Sequence, residues 1–367
     1  MLRLAATKTR KADHIRICLE HDVQARSVST WLEHVWLLHS AVPAADYEAI
    51  ELRTRFLGHD FSAPLMVSAI TGGAEEGASI NAAIAEAVEE LGLGMGVGSQ
   101  RAALEDPSVI RTFKIAREKA PTAFIMANIG YSEVARGLPL SALDDLVSMV
   151  EANALAIHLN PLQEVVQAEG RPGGQAFLDR LTEITDYLSV PVVVKEVGSG
   201  ISAEVARELE RRGVVAVDVA GAGGTSWAAV EHYRALEVGD DLSARLGRTF
   251  WDWGIPTAAS VLEVASSTNL AIIASGGLRN GLDMAKCLAL GADMAALAWP
   301  VLREAVKGAG AVKELLRALM EEIRATLFIT GCKRLEDLRE VPVVLLGPLA
   351  DWARARGLEV RRGSPRR

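Results

Sequence analysis

Seven positions from His158 to Glu164, reading HLNPLQE, gather an imidazole, two carboxamides and a carboxylate. They follow the apolar run Ala154–Ile157 without a break, and Pro161 bars that run from continuing as an interior strand. A carboxylate such as Glu164 is a hard oxygen ligand suited to a small divalent cation. A neutral amide such as Gln163 is a poor acid by itself, so it suits orienting a substrate or passing protons in concert with another group. Plainer readings stand beside these. Glu164 also reads as an acid in the first turn of a helix, where it opposes the helix dipole. His158 also reads as a structural histidine at a strand end. Neither explains His158, Asn160 and Gln163 together.

Other stretches carry complementary chemistry. SGGLRNGLD (275–283) follows an apolar run and opens a helix-like segment, a pattern that lets backbone N–H groups and a helix N-terminus approach a phosphate. A tight turn that needs glycine for geometry alone is the competing reading. GAGGTSW (221–227) is a second turn of this kind, and beside the first it supports a patch lining the same phosphate or ribityl chain. Lys195 ends the run VVVK. It reads either as a lysine snorkelling from a strand end or as a cation in a cavity mouth, where it would stabilise the anionic N1–O2 edge of a reduced flavin. Arg10, Lys11 and His14 fall within about one helical turn in TRKADH (9–14), which reads as a solvated basic face or as a lid for a diphosphate. GSQR (98–101) places Arg101 at a strand end, suited to two-pronged binding of phosphate oxygens or to a salt bridge with a neighbouring helix.

The elements that must position these residues are legible as eight short apolar runs, at 64–70, 94–99, 123–129, 154–160, 190–197, 214–221, 271–277 and 293–299. They do not alternate and are rich in Val, Ile and Ala, as strands buried on both faces should be. Amphipathic stretches such as SINAAIAEAVEELG and SAEVARELERRG separate them, the latter closing on a glycine stop signal. Eight β–α repeats predict an α/β fold of the TIM (β/α)8 type, in which active sites gather at the carboxyl ends of the strands. A doubly wound sheet is the alternative, but it has no reason to supply so many units. Residues 1–60 read as an N-terminal extension contributing to the substrate site, 61–345 as the barrel and 346–367 as a partly disordered tail. Glu237 to Pro256 reads as a long irregular excursion on a βα-loop.

Composition excludes several classes. The chain has 367 residues, half of them hydrophobic, and a formal net charge of −8, which speaks against a nucleic-acid footprint. Cys18, Cys287 and Cys332 are odd in number and lack any CxxC pair, which suits a reducing compartment rather than a disulfide framework or zinc site. The N-terminus is charged within ten residues and has no apolar signal core. No apolar stretch is long enough to span a bilayer. A cytoplasmic protein is expected.

RKADH, SAITGG, GSQR, NIG, HLNPLQE, VKEVGSGIS, GAGGTSW, WGIPT and SGGLRNG, in order from residue 10 to about 300, resemble the type 2 isopentenyl-diphosphate isomerases. HLNPLQE is the most specific of these; the glycine turns alone would fit many flavin barrels. The resemblance implies interconversion of isopentenyl and dimethylallyl diphosphate without net redox change. It implies reduced FMN and Mg²⁺, with NADPH or another reductant to reduce the flavin, and a homo-tetramer or homo-octamer. It places Ala69, Ile70, Thr71, Ser99, Asn128, Lys195, Thr225, Gly276, Gly277, Arg279 and Ala298 around FMN. It assigns Arg10, Lys11, His14, Ser99, Gln100, Arg101, Asn160 and Gln163 to the substrate. Gln163, Lys195 and His158 would be the catalytic group, and Glu164, helped by Glu231, would hold the metal. One departure stands out. After NPLQEVVQ the family usually continues Pro-Glu-Gly and an acidic stretch, whereas residues 168–174 here read AEGRPGG.

Two other functions share the barrel. An FMN-dependent 2-hydroxy-acid oxidase or dehydrogenase would need a histidine base closely followed by arginine near the seventh strand, and IIASGGLRNG supplies no histidine. A non-catalytic flavin-binding protein would have no use for Gln163, Glu164 or the N-terminal basic cluster.

Overall fold

The structure, a computed structural model, describes residues 2–43, 45–167, 170 and 174–360, with side chains from residue 11 onward. Eight parallel strands close into a barrel: Leu65–Val67, Gly94–Gly96, Phe124–Gly130, Ala154–His158, Val192–Lys195, Ala216–Asp218, Ala271–Ala274 and Met294–Leu297. Seven fall within the apolar runs, and the third, Phe124–Gly130, exceeds its run by one residue. The eighth strand closes on the first, with Ala295 opposite Leu65.

Side-chain parity divides each strand between two cores. Met66, Met126, Ala154, Ala156, Val193, Ala216, Ile273, Met294 and Ala296 fill the barrel interior. Their neighbours, among them Val67, Leu155, Val194, Val217 and Ile272, pack outward against the helices. Both sets are buried, which is why the strands read as unbroken apolar runs.

The N-terminal extension closes the barrel at both ends. An antiparallel hairpin, Thr54–Phe56 with His59–Phe61, sends Phe56 and Phe61 against Phe124 at the amino ends of the strands, with ring centroids 6.3 and 5.5 Å away. The helix Leu2–Glu20 lies across the opposite end, where Lys11, His14, Ile15 and Cys18 face a large cavity. Between them, Val35–Leu37 pairs antiparallel with Val343–Leu345.

One expectation needs correction. Residues 237–256 are largely helical. The helix Trp227–Val238 ends on left-handed Gly239, and Asp240 caps the next helix, Asp241–Thr249, by accepting from Ser243 N at 3.0 Å. The Gly–Asp pair is itself a stop followed by a start. The tail also folds, at least to Arg356. Gly347–Arg356 is a helix that buries Leu349 and Ala353 and sends Trp352 Nε1 to Glu263 Oε1 at 2.9 Å. Arg356 grips Glu204 at 2.6 and 2.8 Å and Glu263 at 2.8 Å. Positions 349, 352, 353 and 356 form one helical stripe, short enough to be masked by the surrounding arginines. Residues 361–367 of the expected tail lie outside the described residues.

Candidate active site

The inward parity that fills the barrel continues upward and changes chemistry. One step beyond the apolar interior residues stand Ser68, Asn128, His158, Lys195, Asp218, Ser275 and Ala298. Register places His158 opposite Lys195, and Lys195 opposite Asp218. All but Asp218 line a single cavity at the carboxyl ends of the strands, with about 1600 Å³ of atom-free space including its open mouth. The polar burst after Ile157 is therefore the top of the interior face.

One wall is backbone. Gly276 and Gly277 have φ of +95° and +74°, and a Cβ on Gly224 would stand 2.5 Å from the Gly277 Cα. The two glycine turns thus pack main chain against main chain, a contact that only glycine permits. Thr257 Oγ1 braces them, donating to Gly276 O at 2.6 Å. The N–H groups of Gly276 and Gly277 bond to no acceptor among the described residues. Arg279 and Thr225 line the cavity beside them. Two turns with open N–H groups and a flanking guanidinium fit a monoester phosphate. The helix Gly281–Ala289 contributes less to this than expected, because Asn280 already caps it through Asp283 N at 2.8 Å.

Lys195 is buried. Its Nζ donates to Glu196 O at 2.6 Å and stands 3.9 Å from Asp218 Oδ2. Asp218 also accepts from Ser275 Oγ. Burial pushes the Asp218 carboxyl above its ordinary range, against the pull of Lys195 and Ser275. Asp218 escaped the sequence reading. A single acid inside VVAVDVAG, in phase with the interior residue Ala216, was the signal that could have found it. Glu196 is turned away from the mouth and accepts the N–H groups of Val197 and Gly198, each at 2.7 Å, and of Ser199. Burial outweighs these bonds and raises its pKa from 4.5 to about 7.

His158 Nδ1 lies 2.9 Å from Asn128 Oδ1, and Asn128 Nδ2 is committed to Val97 O at 3.1 Å. This network assigns the ring proton to Nδ1. Gln163 is fixed at both ends of its amide, with Oε1 accepting from Asn160 Nδ2 at 3.1 Å and Nε2 donating to Glu231 Oε1 at 2.9 Å. Glu164 begins the short helix Pro161–Val166 and lines the cavity. Three buried oxygens, Ser68 Oγ, Thr71 Oγ1 and Asn160 Oδ1, have no hydrogen-bond partner among the described residues and belong to residues lining this same cavity. Buried polar atoms of this kind require a ligand or water.

Cations approach from two sides. Lys11 and His14 descend from the N-terminal helix, and Arg101 stands across the cavity, held by Glu105 at 2.8 Å and Glu133 at 3.1 Å. Ser99, Ala69 and Ile70 join the same wall. The side chain of Arg10 lies outside the described residues, as do most positions of the divergent loop 168–174. The sequence reading missed the apolar wall of Trp227, Trp299, Ile15 and Leu302. Trp227 meets the His14 ring edge to face at 5.1 Å.

Two expected site residues have other employment. Gln100, expected at the substrate, is fully buried, donates to Leu146 O and accepts from Asn128 N, each at 2.9 Å. It caps the start of the helix Arg101–Glu105 and points inward, while Gly98, Ser99, Arg101 and Ala102 on either side of it take the cavity side. Glu231, expected to help hold a metal, does not line the cavity. Its carboxylate binds His14 Nε2 at 3.0 Å, Gln163 Nε2 at 2.9 Å and Arg234 Nη1 at 3.0 Å. Burial opposes its charge, but the positive His14 and these bonds hold its pKa at about 2. It is an anchor for two cavity residues. Among the described residues no three His, Cys, Asp or Glu side chains converge into a metal site. The cavity does contain two hard oxygen donors close together, the Glu164 carboxylate and the open Asn160 Oδ1. That set fits a cation which brings its remaining ligands with an anionic substrate.

Known proteins agree with this geometry. Residues 148–344 match the FMN-dependent dehydrogenase family. An isopentenyl-diphosphate delta-isomerase of Methanosarcina barkeri is 46% identical over 98% of this chain and 97% of its own length. Those of Metallosphaera sedula and Archaeoglobus fulgidus are 47% and 46% identical over 95% and 96% of this chain, and over 95% and 100% of their own lengths. Among solved structures, a lactate oxidase of Pediococcus acidilactici superposes with a TM-score of 0.66 at 16% identity, covering 94% of each chain. A mandelate oxidase gives 0.62 at 17% identity, covering 93% of this chain and 98% of its own. These distant structures show the barrel alone. The near-full-length relatives settle the lineage: the chain belongs to the isopentenyl-diphosphate delta-isomerases, built on the barrel of the FMN-dependent dehydrogenases.

Proposed function

We propose that this protein interconverts isopentenyl diphosphate and dimethylallyl diphosphate, with reduced FMN and Mg²⁺ in the cavity and no net redox change. The observation that carries the reading is the meeting of two anion-binding groups in one cavity. The glycine turns with Arg279 form one, and Lys11, His14 and Arg101 form the other. A flavin phosphate and a substrate diphosphate can then bind at once. When bound, reduced FMN supplies the acid–base capacity that moving a double bond requires. The chain's own residues bind, orient and exclude water.

Lys11, His14 and Arg101 hold the diphosphate, and Ser99 adds a hydroxyl. Glu164 and the open oxygen of Asn160 would hold Mg²⁺, which would neutralise charge on the diphosphate. Gln163, clamped between Asn160 and Glu231, presents a fixed amide to the allylic end of the substrate. His158 is locked as an Nδ1–H donor to Asn128. Lys195 places a buried positive charge where the anionic edge of a reduced flavin would lie. Ile15, Trp227 and Trp299 give the prenyl group a dry wall.

A 2-hydroxy-acid oxidase lacks support, because the histidines that line the cavity are His14 and His158 and neither follows the seventh strand. NADPH or another reductant would reduce the flavin. Three buried, unpaired cysteines support a reducing, cytoplasmic setting. Exposed Leu236, Val238, Leu242 and Trp253 support assembly into a tetramer or octamer. The test is conversion of isopentenyl diphosphate by the purified protein under nitrogen with reduced FMN and Mg²⁺. Equal turnover under air, with fully oxidised flavin and no reductant, refutes the reading. So does oxidation of lactate or mandelate in place of isomerisation.

A further inference from the structure

Trp299 opens the helix Trp299–Ala305 after the eighth strand and belongs to neither glycine turn nor to the strand-top polar row. It touches both halves of the site. Its indole N–H donates to Cys18 O at 2.9 Å. Cys18 lies in the last turn of the N-terminal helix, where carbonyls have no partner within the helix, and it is buried. The Trp299 ring carries two guanidinium groups, Arg279 at 5.3 Å and Arg303 at 4.9 Å from the centroid. Arg279 donates in turn to Gln24 Oε1, and Gln24 bridges Thr225 of the other glycine turn. A closed circuit therefore joins the arginine at the phosphate turns to the helix that bears Lys11 and His14.

We propose that Trp299 is a positioning residue with two separable roles. Its ring face holds Arg279 toward the flavin phosphate, and its N–H pins the C-terminal turn of the N-terminal helix. Occupancy of the flavin site is thereby coupled to docking of the helix that carries the diphosphate cations. The proposal rests on the functional reading above. A planar ring orients a guanidinium that otherwise has several extended rotamers. A buried helix-end carbonyl that loses its donor favours local opening.

The two roles separate by substitution. Trp299→Phe keeps a ring and loses the donor, whereas Trp299→Leu loses both. FMN affinity of the full chain is read by quenching of flavin fluorescence, and helix docking by hydrogen exchange over residues 11–20 with and without FMN. Trp299→Phe should speed exchange over 11–20 roughly three- to tenfold, the loss of one hydrogen bond, and keep FMN affinity within about twofold. Trp299→Leu should speed exchange as much and also weaken FMN roughly two- to fivefold. FMN should slow exchange over 11–20 in the unmodified protein and lose that effect in Trp299→Leu. Unchanged FMN affinity in Trp299→Leu, or unchanged exchange in Trp299→Phe, overturns the proposal while leaving the functional reading intact. Failure of the unmodified protein to bind FMN refutes the functional reading and the coupling together. Should the leucine variant not fold, Trp299→Met takes its place, removing ring and donor while filling the space, and unchanged FMN affinity in it overturns the role of the ring.

Discussion

Replacing Glu231 with glutamine tests whether it is an anchor or a metal ligand. The carboxylate is 1% exposed and receives His14, Gln163 and Arg234 at 2.9–3.0 Å. Glutamine keeps the shape but removes the charge, and one of its atoms becomes a donor facing other donors. Losing a charge-assisted bond costs about 1.5–3 kcal/mol, and stranding a buried cation costs about 3–5 kcal/mol. His14 and Arg234 are each partly exposed, at 13% and 19%, so a total near 3 kcal/mol is the better expectation. At about 2.1 cal/mol/K per residue, a chain of this length loses roughly 1.3 °C per kcal/mol, or about 4 °C in Tm. The same change releases His14 from the cavity wall and unclamps Gln163. KM for the diphosphate should then rise roughly tenfold or more and kcat should fall. FMN affinity should hold, because Glu231 touches neither glycine turn. The assays are thermal unfolding of the apo-protein, steady-state kinetics under nitrogen, and a Mg²⁺ titration at saturating substrate. A normal Tm and KM with a Mg²⁺ requirement shifted upward refutes the anchor and makes Glu231 the metal ligand its sequence suggested.

Three further outcomes follow from the site. Lys195→Met removes the cation beside the flavin edge, so the reduction potential of bound FMN should drop by on the order of 30–60 mV; an unchanged potential would separate Lys195 from the flavin. Gln163→Ala should depress kcat with the metal titration intact, whereas Glu164→Gln should raise the Mg²⁺ requirement and be partly rescued by excess metal. A normal titration in Glu164→Gln would reduce that residue to a helix-starting acid. Glu196 has its pKa raised from 4.5 to about 7, so the folded protein holds a proton that the unfolded chain releases. Its contribution is fully present below about 4.5 and is lost as pH rises through about 7, by at most about 3 kcal/mol. Urea unfolding from pH 5 to 8 should show this decline, and Glu196→Gln should flatten it.

Much of this protein was legible because its signals are local. Eight doubly buried strands must read as apolar runs, and each barrel strand coincides with one to within a residue. Strand-end position then pointed to Lys195, His158, Asn160 and Gln163 before any contact was known. The stretches SINAAIAEAVEELG and SAEVARELERRG read as helix-like, and both carry helices, Glu75–Leu91 and Ala203–Glu210, although the second stops at Glu210, short of its closing Gly213. The stripe Leu349, Trp352, Ala353 and Arg356 was equally local, yet a few apolar residues among arginines fell below recognition until Glu263 and Glu204 supplied their partners.

What tertiary structure alone decided is direction and pairing. Whether Gln100 or its neighbours Ser99 and Arg101 face the cavity depends on how the chain leaves the second strand. That exit is a turn into the helix Arg101–Glu105, whose direction no local pattern announces. Glu231 lies 68 residues from Gln163 and 217 from His14. No spacing rule connects them. Its carboxylate meets His14 and Gln163, beside its near neighbour Arg234, only because folding brings them to it. Trp299 likewise acquired its two contacts only when the barrel closed beneath the N-terminal helix. Residue type and period fix which groups can do chemistry, but the partners that commit each group come from distant chain, and only closure of the barrel brings them within hydrogen-bond reach.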